Sequence, residues 1–365
     1  MSAPETEVIG VNVRGVAGHE WDVTGVDTSN DIVTVDISDF RQDITSVLSV
    51  GDSVVVEERL SSPEALTVSS VSDNGDGTAD VTVQESLSDS TVGGYLAYRL
   101  QIPGETDAEL SKNFNLADAQ DKGAGLWGDD LYGYREWDLG LDILHTESSG
   151  EHQMPFSDTV KLEVDVGGDT YKAKSLNDLS LTFSADTEER SGFEKGKWRY
   201  VLVTGLGMEI SISGAYFDPE ADDGAFYNKV KQEAQAGNTI TFTLKFASLE
   251  FSGKIRPSDW TLTAPADNSR ATIDFTFTES GEITYTGSIE SGLDLLISAF
   301  FERDRVHTLM ETTDDDGNRR SGATRYSGEA VIEELAFEAS SDGDTPLTHS
   351  YSFLGDGPLD EKTQS

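Results

Sequence analysis

The tightest constraint on the fold is a repeat within the chain. EFSGKIRPSDWTL (Glu250 to Leu262) recurs as RYSGEAVIEELAF (Arg325 to Phe337), with an aromatic residue, Ser and Gly in the same order before the same apolar and polar alternation. An offset of 75 positions pairs Phe251 with Tyr326, Gly253 with Gly328, Trp260 with Leu335 and Leu262 with Phe337. One extra residue in the following turn makes the offset 76, and then Phe275 matches Tyr351, Phe277 matches Phe353 and Gly281 matches Gly357. Alternation with period two marks strands half-buried in a sheet. Two antiparallel strands and their turn are therefore present twice.

Each copy is preceded by a helical pattern. DDGAFYNKVKQEAQAGN spaces Phe226, Val230 and Ala234 four apart, with Asp222 or Asp223 as N-cap and Gly237 as C-terminal stop. SGLDLLISAFFERDRV offers Leu293, Leu296 and Phe300, and an offset of 66 aligns Val230 with Leu296 and Ala234 with Phe300. A strand follows each helix, at Ile240, Phe242 and Leu244 and at Val306, Thr308 and Met310. The first halves correspond as well, Ala108 to Leu144 with Asn177 to Phe217: strand, long polar stretch, aromatic cluster, strand. The order along the chain is first half, first half, second half, second half. Plain tandem duplication does not produce it. The simplest arrangement inserts one copy, about 150–287, into another made of 1–20, 100–149 and 288–360, with 361–365 as a tail; a strand-exchanged pair satisfies the same order.

Residues 20–100 form a different block. Short runs rich in Val, Ile, Thr and Tyr, bounded by Gly, Asp, Asn and Ser, predict a small barrel or sandwich of about five strands. DNGDGT at Asp73 and DDDGN at Asp314 resemble fragments of calcium loops, but neither has Glu at the twelfth position. Both read as hairpin turns, where Asn-Gly and Asp-Gly supply positive φ.

Composition narrows the function classes. The 365 residues include 26 Lys+Arg and 68 Asp+Glu, so 26 − 68 gives a formal charge of −42, with 36% hydrophobic residues and no cysteine. That balance predicts a folded protein whose compact state repels itself until salt screens it, as in the cytoplasm of a halophilic archaeon; an acidic mesophilic protein is the plainer alternative. No disulfide can form. The N-terminal stretch lacks a basic and apolar leader pattern, and no apolar run approaches the ~20 residues of a membrane span, so export and membrane insertion are not expected. Nucleic-acid binding would require a basic face. The histidines, His19, His145, His152, His307 and His349, form no HxH or HExxH motif, and no catalytic set or cofactor motif stands out. The chain is therefore expected not to be an enzyme and to need no cofactor.

The segment from LSLTFSADTEERSGFEKGKW through FSGKIRPSDWTLTAPADNSRATIDFTFTESGEI resembles the major tail (tail tube) protein of siphophages, in the order strand, acidic loop, strand, helix, hairpin. The second copy, closing on GDGPL, is similar to the same family's C-terminal hairpin. The likeness spans roughly 100–360, and the split first copy departs from the family's single domain. It implies a mainly β fold: two tail-tube β-sandwich or barrel domains, each with a flanking helix, one inserted in the other, plus a small all-β decoration domain. It also implies a virion tail location, self-assembly into stacked rings, here homotrimers with pseudo-six-fold symmetry, and contact with the tape-measure, terminator and baseplate proteins. DNA would pass through the lumen without specific binding, and no membrane is involved. A distal tail or baseplate hub uses the same domain, and an extracellular β-rich adhesin is a further alternative.

Two sets of residues follow as expectations. Long stretches at Asn115 to Glu136 and Ser184 to Tyr200 mix acids with aromatics, and Trp127, Tyr132, Tyr134, Glu188, Arg190, Phe193 and Trp198 are the candidates for ring stacking. Glu209, Ser211, Ser213, Asp138, Gly140 and Asp142 alternate with apolar neighbours and are the candidates for the channel wall.

Overall fold

The computed structural model describes residues 12–38, 40, 43–57, 64–88, 93–101, 105–117, 131–144, 160–173, 176–189, 198–216, 222–264, 271–287, 291–313, 324–340 and 347–363. The fold is mainly β. Strand β1 (Asn12–Asp27) opens a small barrel with β2 (Ile32–Asp36), the short helix α1 (Ile44–Val47), β3 (Ser53–Glu57), β4 (Glu64–Asp73), β5 (Thr78–Val83) and β6 (Tyr95–Gln101). Pairing runs β1–β2–β5–β4–β3–β6 and returns to β1, closing six strands. The sixth is β1 itself, which the expected five omitted. Val33, Val35, Val81 and Val54 fill the interior at every second position, and closure leaves no unpaired edge. The turn at Asp73 reads as expected, with Gly75 at φ 74° and Gly77 at φ 89°; DDDGN lies outside the described residues.

The chain continues as β7 (Glu105–Ala117), β8 (Leu131–Leu144), β9 (Val160–Val166), β10 (Asp169–Lys172), β11 (Asp178–Glu189), β12 (Val201–Tyr216), α2 (Asp222–Ala236), β13 (Ile240–Phe246), β14 (Leu249–Thr263), β15 (Thr272–Thr286), α3 (Ser291–Glu302), β16 (Arg305–Thr313), β17 (Thr324–Ser340), β18 (Thr348–Gly355) and β19 (Asp360–Thr363). Two runs of antiparallel pairing share one order. β9–β13–β14–β15–β12–β11 is matched strand for strand by β1–β16–β17–β18–β8–β7.

The match holds in register. Trp260 lies opposite Phe275 as Leu335 lies opposite Tyr351, and Ile240 opposite Ile255 as Val306 opposite Ala330. Both long strands are bulged at the same place, between Pro257 and Asp259 in β14 and between Ile332 and Glu334 in β17. In the first halves Leu110 faces Leu139 and Leu181 faces Ile210, an offset of 71. The runs differ at one hairpin. β9 returns at once as β10 through Gly167 and Gly168, whereas β1 leaves for the barrel and returns as β6.

The helices cover one face of the sheet. α2 buries Phe226, Tyr227 and Val230, Tyr227 stacking on Phe275 with ring centroids 5.9 Å apart, and it stops at Gly237 with φ 68°. α3 buries Leu293, Leu296 and Phe300, but its stop is Arg303 at φ 59°, a left-handed position without glycine. Phe183, Phe251 and Phe337 meet with centroids 5.1–6.4 Å apart and join the two runs into one core. Each buried ring contributes on the order of 1.5–3 kcal/mol by area. Among the described residues no helix is long and apolar enough to cross a membrane.

Candidate assembly edges and an acidic sheet face

A sheet strand has two edges, and the outer edge of β11 is occupied from within the chain. Asp178–Ser184 pairs with Glu334–Ser340 of β17, beyond the part of β17 that β16 uses. The last strand of one run is thus sewn onto the long strand of the other. The offsets of 71 and 75 carry Leu179–Ser184 and Glu334–Ala339 of this pair to Ala108–Asn113 of β7 and to Asp259–Thr263 of β14 with Ala264 just past its end. Among the described residues neither stretch has a strand on that edge, β7 pairing with β8 and this part of β14 with β15.

Burial separates the filled junction from the open one. Leu181 and Phe337, opposite each other in the filled junction, are both 0% exposed. Their counterparts are Leu110, half-buried, and Leu262, 44% exposed. The same translation sets Leu110 opposite Leu262 and Ser111 opposite Thr261. An unpaired strand edge flanked by an exposed leucine is a template for another strand.

Polar groups lock the filled junction. The Arg199 side chain, 7% exposed, donates from Nη2 to the Trp137 carbonyl at 3.0 Å and from Nη1 to Glu136 at 3.2 Å, and it also pairs with Asp138. Asp356 accepts from the Val201 amide at 2.6 Å and pairs with Arg305 Nε at 2.6 Å. Trp137 lies flat on two glycines: a Cβ at Gly328 would come 2.7 Å from the indole, and one at Gly355 would overlap it. Glu333 sits in the β17 bulge beside this network. Burial raises its carboxyl above the ordinary range, Asp138 and Glu334 add to the rise, and Arg199 opposes it. A folded-state value above the unfolded one gives stability that is complete below the unfolded pKa and is lost as pH rises through the folded one. Glu333→Gln is therefore expected to melt above the wild type at pH 7 and with it near pH 3, in thermal scans at fixed molar salt.

The face opposite the helices is wet. Glu209, Ser211 and Ser213 alternate with buried Met208, Ile210 and Ile212, and Asp138, Gly140 and Asp142 alternate with buried Trp137, Leu139, Leu141 and Ile143. All six channel candidates thus share one sheet face. Cross-strand register adds Glu109, Asp178, Asp259, Asp274, Glu334 and Glu338 to it. Bases are sparse on it: among the described residues of β14, Arg256, opposite Thr278, and Lys254, two residues before it, share this face.

The stacking candidates are less gathered. Tyr132 and Tyr134 belong to β8 and Glu188 to β11, so the expected loops are shorter than Asn115 to Glu136 and Ser184 to Tyr200. The strands run on because each still has a hairpin partner, Tyr132 opposite Leu116 and Glu188 opposite Leu202. Trp198 is partly buried against the core. Trp127, Arg190 and Phe193 lie outside the described residues. Sequence reasoning missed the two open edges, although Leu262 in the polar run TLTA is a trace of one.

No protein-family model matches the chain, and no curated protein matches it. Solved structures resemble part of it, among them two chains of gene transfer agent particles. A chain from the virion of a native gene transfer agent particle is 18% identical with a TM-score of 0.32, covering 36% of this chain and 98% of its own. A chain from the tail of an empty gene transfer agent particle, refined with C6 symmetry, is 17% identical with a TM-score of 0.30 at the same coverages. Likenesses this distant do not establish a fold or a function for this chain.

Proposed function

We propose that the chain is the tail tube protein of a long-tailed virus, assembling as stacked rings of three copies. The observation that carries the reading is the internal β11–β17 junction, whose equivalent edges on β7 and β14 are open and complementary. Joining β14 of one copy to β7 of the next continues β7–β8–β18–β17–β11–β12–β15–β14, eight strands per chain, without a break. Three copies of eight make a closed sheet of twenty-four strands, with each chain supplying two four-stranded units. In this reading one unit, 150–287, is inserted in the other, and the small barrel stands outside as a decoration.

The acidic face then lines the lumen. Bases on such a wall would trade counterions for phosphates and hold DNA, whereas carboxylates let it slide. The tape-measure protein fills the lumen before ejection, terminator and baseplate proteins close the ends, and the segments around Trp127 and Phe193 stack one ring on the next. The charge of −42 fits a virus assembled in the cytoplasm of a halophilic archaeon.

The chain has no cysteine, so an introduced pair tests the junction without background. With Ser111→Cys and Thr261→Cys together, oxidation should yield covalent trimers on non-reducing gels. Averaged images of the tubes should show three barrels around each ring. Six barrels per ring, or tubes whose cysteines do not cross-link, would overturn the arrangement.

A further inference from the structure

We propose that Glu20, His307 and Glu329 form a binding site for a divalent transition-metal ion of the zinc class, at the root of the small barrel. The register brings them together. His307 on β16 lies opposite Gly18 of β1 on one side and Glu329 of β17 on the other. Glu20 is two residues beyond Gly18 and so points to the same side of the sheet. Gly18 presents no side chain between them, and Glu20 reaches across to the imidazole.

Both carboxylates stand beside the imidazole without a hydrogen bond to it. Glu20 Oε1 is 3.1 Å from Nε2, and Glu329 Oε1 is 3.4 Å from Nδ1. Yet His307, 6% exposed, has neither ring nitrogen in a hydrogen bond. A hydrogen-bonded oxygen sits near the N–H axis. A metal ion takes the axis of one ring nitrogen, about 2.0–2.1 Å from it, and holds carboxylate oxygens at about 2.0–2.2 Å, each on the order of 3.3 Å from that nitrogen; one ion so placed accounts for one of the two N···O pairs, and the carboxylate beside the other nitrogen has to turn towards it. One ligand atom from each residue falls within 4.8 Å of the others. Imidazole with carboxylates favours zinc-class ions over magnesium or calcium, which take oxygen ligands. Partial exposure of both carboxylates leaves room for water as a further ligand.

The site has a structural task, independent of the tube reading. β1 and β6 carry the chain from the sheet into the barrel, and Glu20 stands on the first of them just past the last residue that β16 pairs. An ion shared by β1, β16 and β17 fixes the barrel to the sheet.

The test uses the full chain, stripped with a chelator and titrated with zinc in molar salt. One zinc per chain should bind and raise the melting temperature, magnesium at equal concentration should not, and X-ray absorption should show one imidazole among ligands near 2.0 Å. His307→Gln should weaken binding by roughly tenfold or more and abolish the thermal shift. Glu329→Gln, at the more exposed position, serves the same comparison if the histidine variant does not fold. No thermal shift in the wild type, or an equal shift and affinity in the variants, which would mean that zinc binds the acidic surface at large, overturns the proposal.

Discussion

Leu262→Asp is expected to yield a folded, soluble chain that forms no tubes. In the single chain Leu262 is 44% exposed, and substitutions at such positions usually stay within about 0.5 kcal/mol. Its melting temperature should barely move. In the ring it would be as covered as Phe337, and a carboxylate buried there without a partner costs several kcal/mol. That cost recurs at all three junctions of every ring. Sedimentation in molar salt, paired with a thermal scan, separates the two effects, and Leu262→Met should assemble normally. Tubes formed by Leu262→Asp would show that β14 is not a junction strand.

Arg199→Met should produce a clear loss of stability at the filled junction, roughly 2–3 kcal/mol, because it removes a buried guanidinium and leaves the Trp137 carbonyl and the partly shielded carboxylates of Glu136 and Asp138 without their partner. Lysine should not restore it, since one ammonium cannot reproduce the guanidinium fork. Combining Arg199→Met with Glu136→Gln and Asp138→Asn should cost less than Arg199→Met alone. Denaturant unfolding at fixed salt reads all three. A loss below 1 kcal/mol for Arg199→Met would mean that the network is solvated and does not lock the two runs.

The repeat was legible because its signal is local. Aromatic-Ser-Gly followed by alternation survives in both long strands, and the offsets of 75 and 66 read from letters reappear in the strand pairs. Even the bulges at Pro257/Asp259 and Ile332/Glu334 keep the spacing of 75. The first strand of each run was not legible. VKLEVDV in β9 and NVRGVAG in β1 share little beyond alternation, and their equivalence rests on pairing with β13 and β16, more than 70 and 280 residues away. β1 also serves the barrel, so a count of local runs falls one strand short. The Glu20, His307 and Glu329 cluster has no motif, since its residues sit on three strands and meet only through register. The acidic face was readable, because Glu209 and Asp138 alternate with residues that must be buried.

The interleaved order of the strands governs when the protein can exist during synthesis. Residues 16–101 close on themselves, so the barrel has all its partners within the first third of the chain. β8 has to wait for β18 at Thr348–Gly355, β1 for β16, and β11 for β17. Contacts so distant in sequence make the remaining sheet slow to form, and although the run from β9 to β15 has all its partners by residue 286, a nascent chain cannot finish the run that contains β7 before its last strands leave the ribosome. A half-made molecule therefore never holds a completed β7 edge and a completed β14 edge together. Polymerisation is deferred until translation ends, when the completed chain presents both.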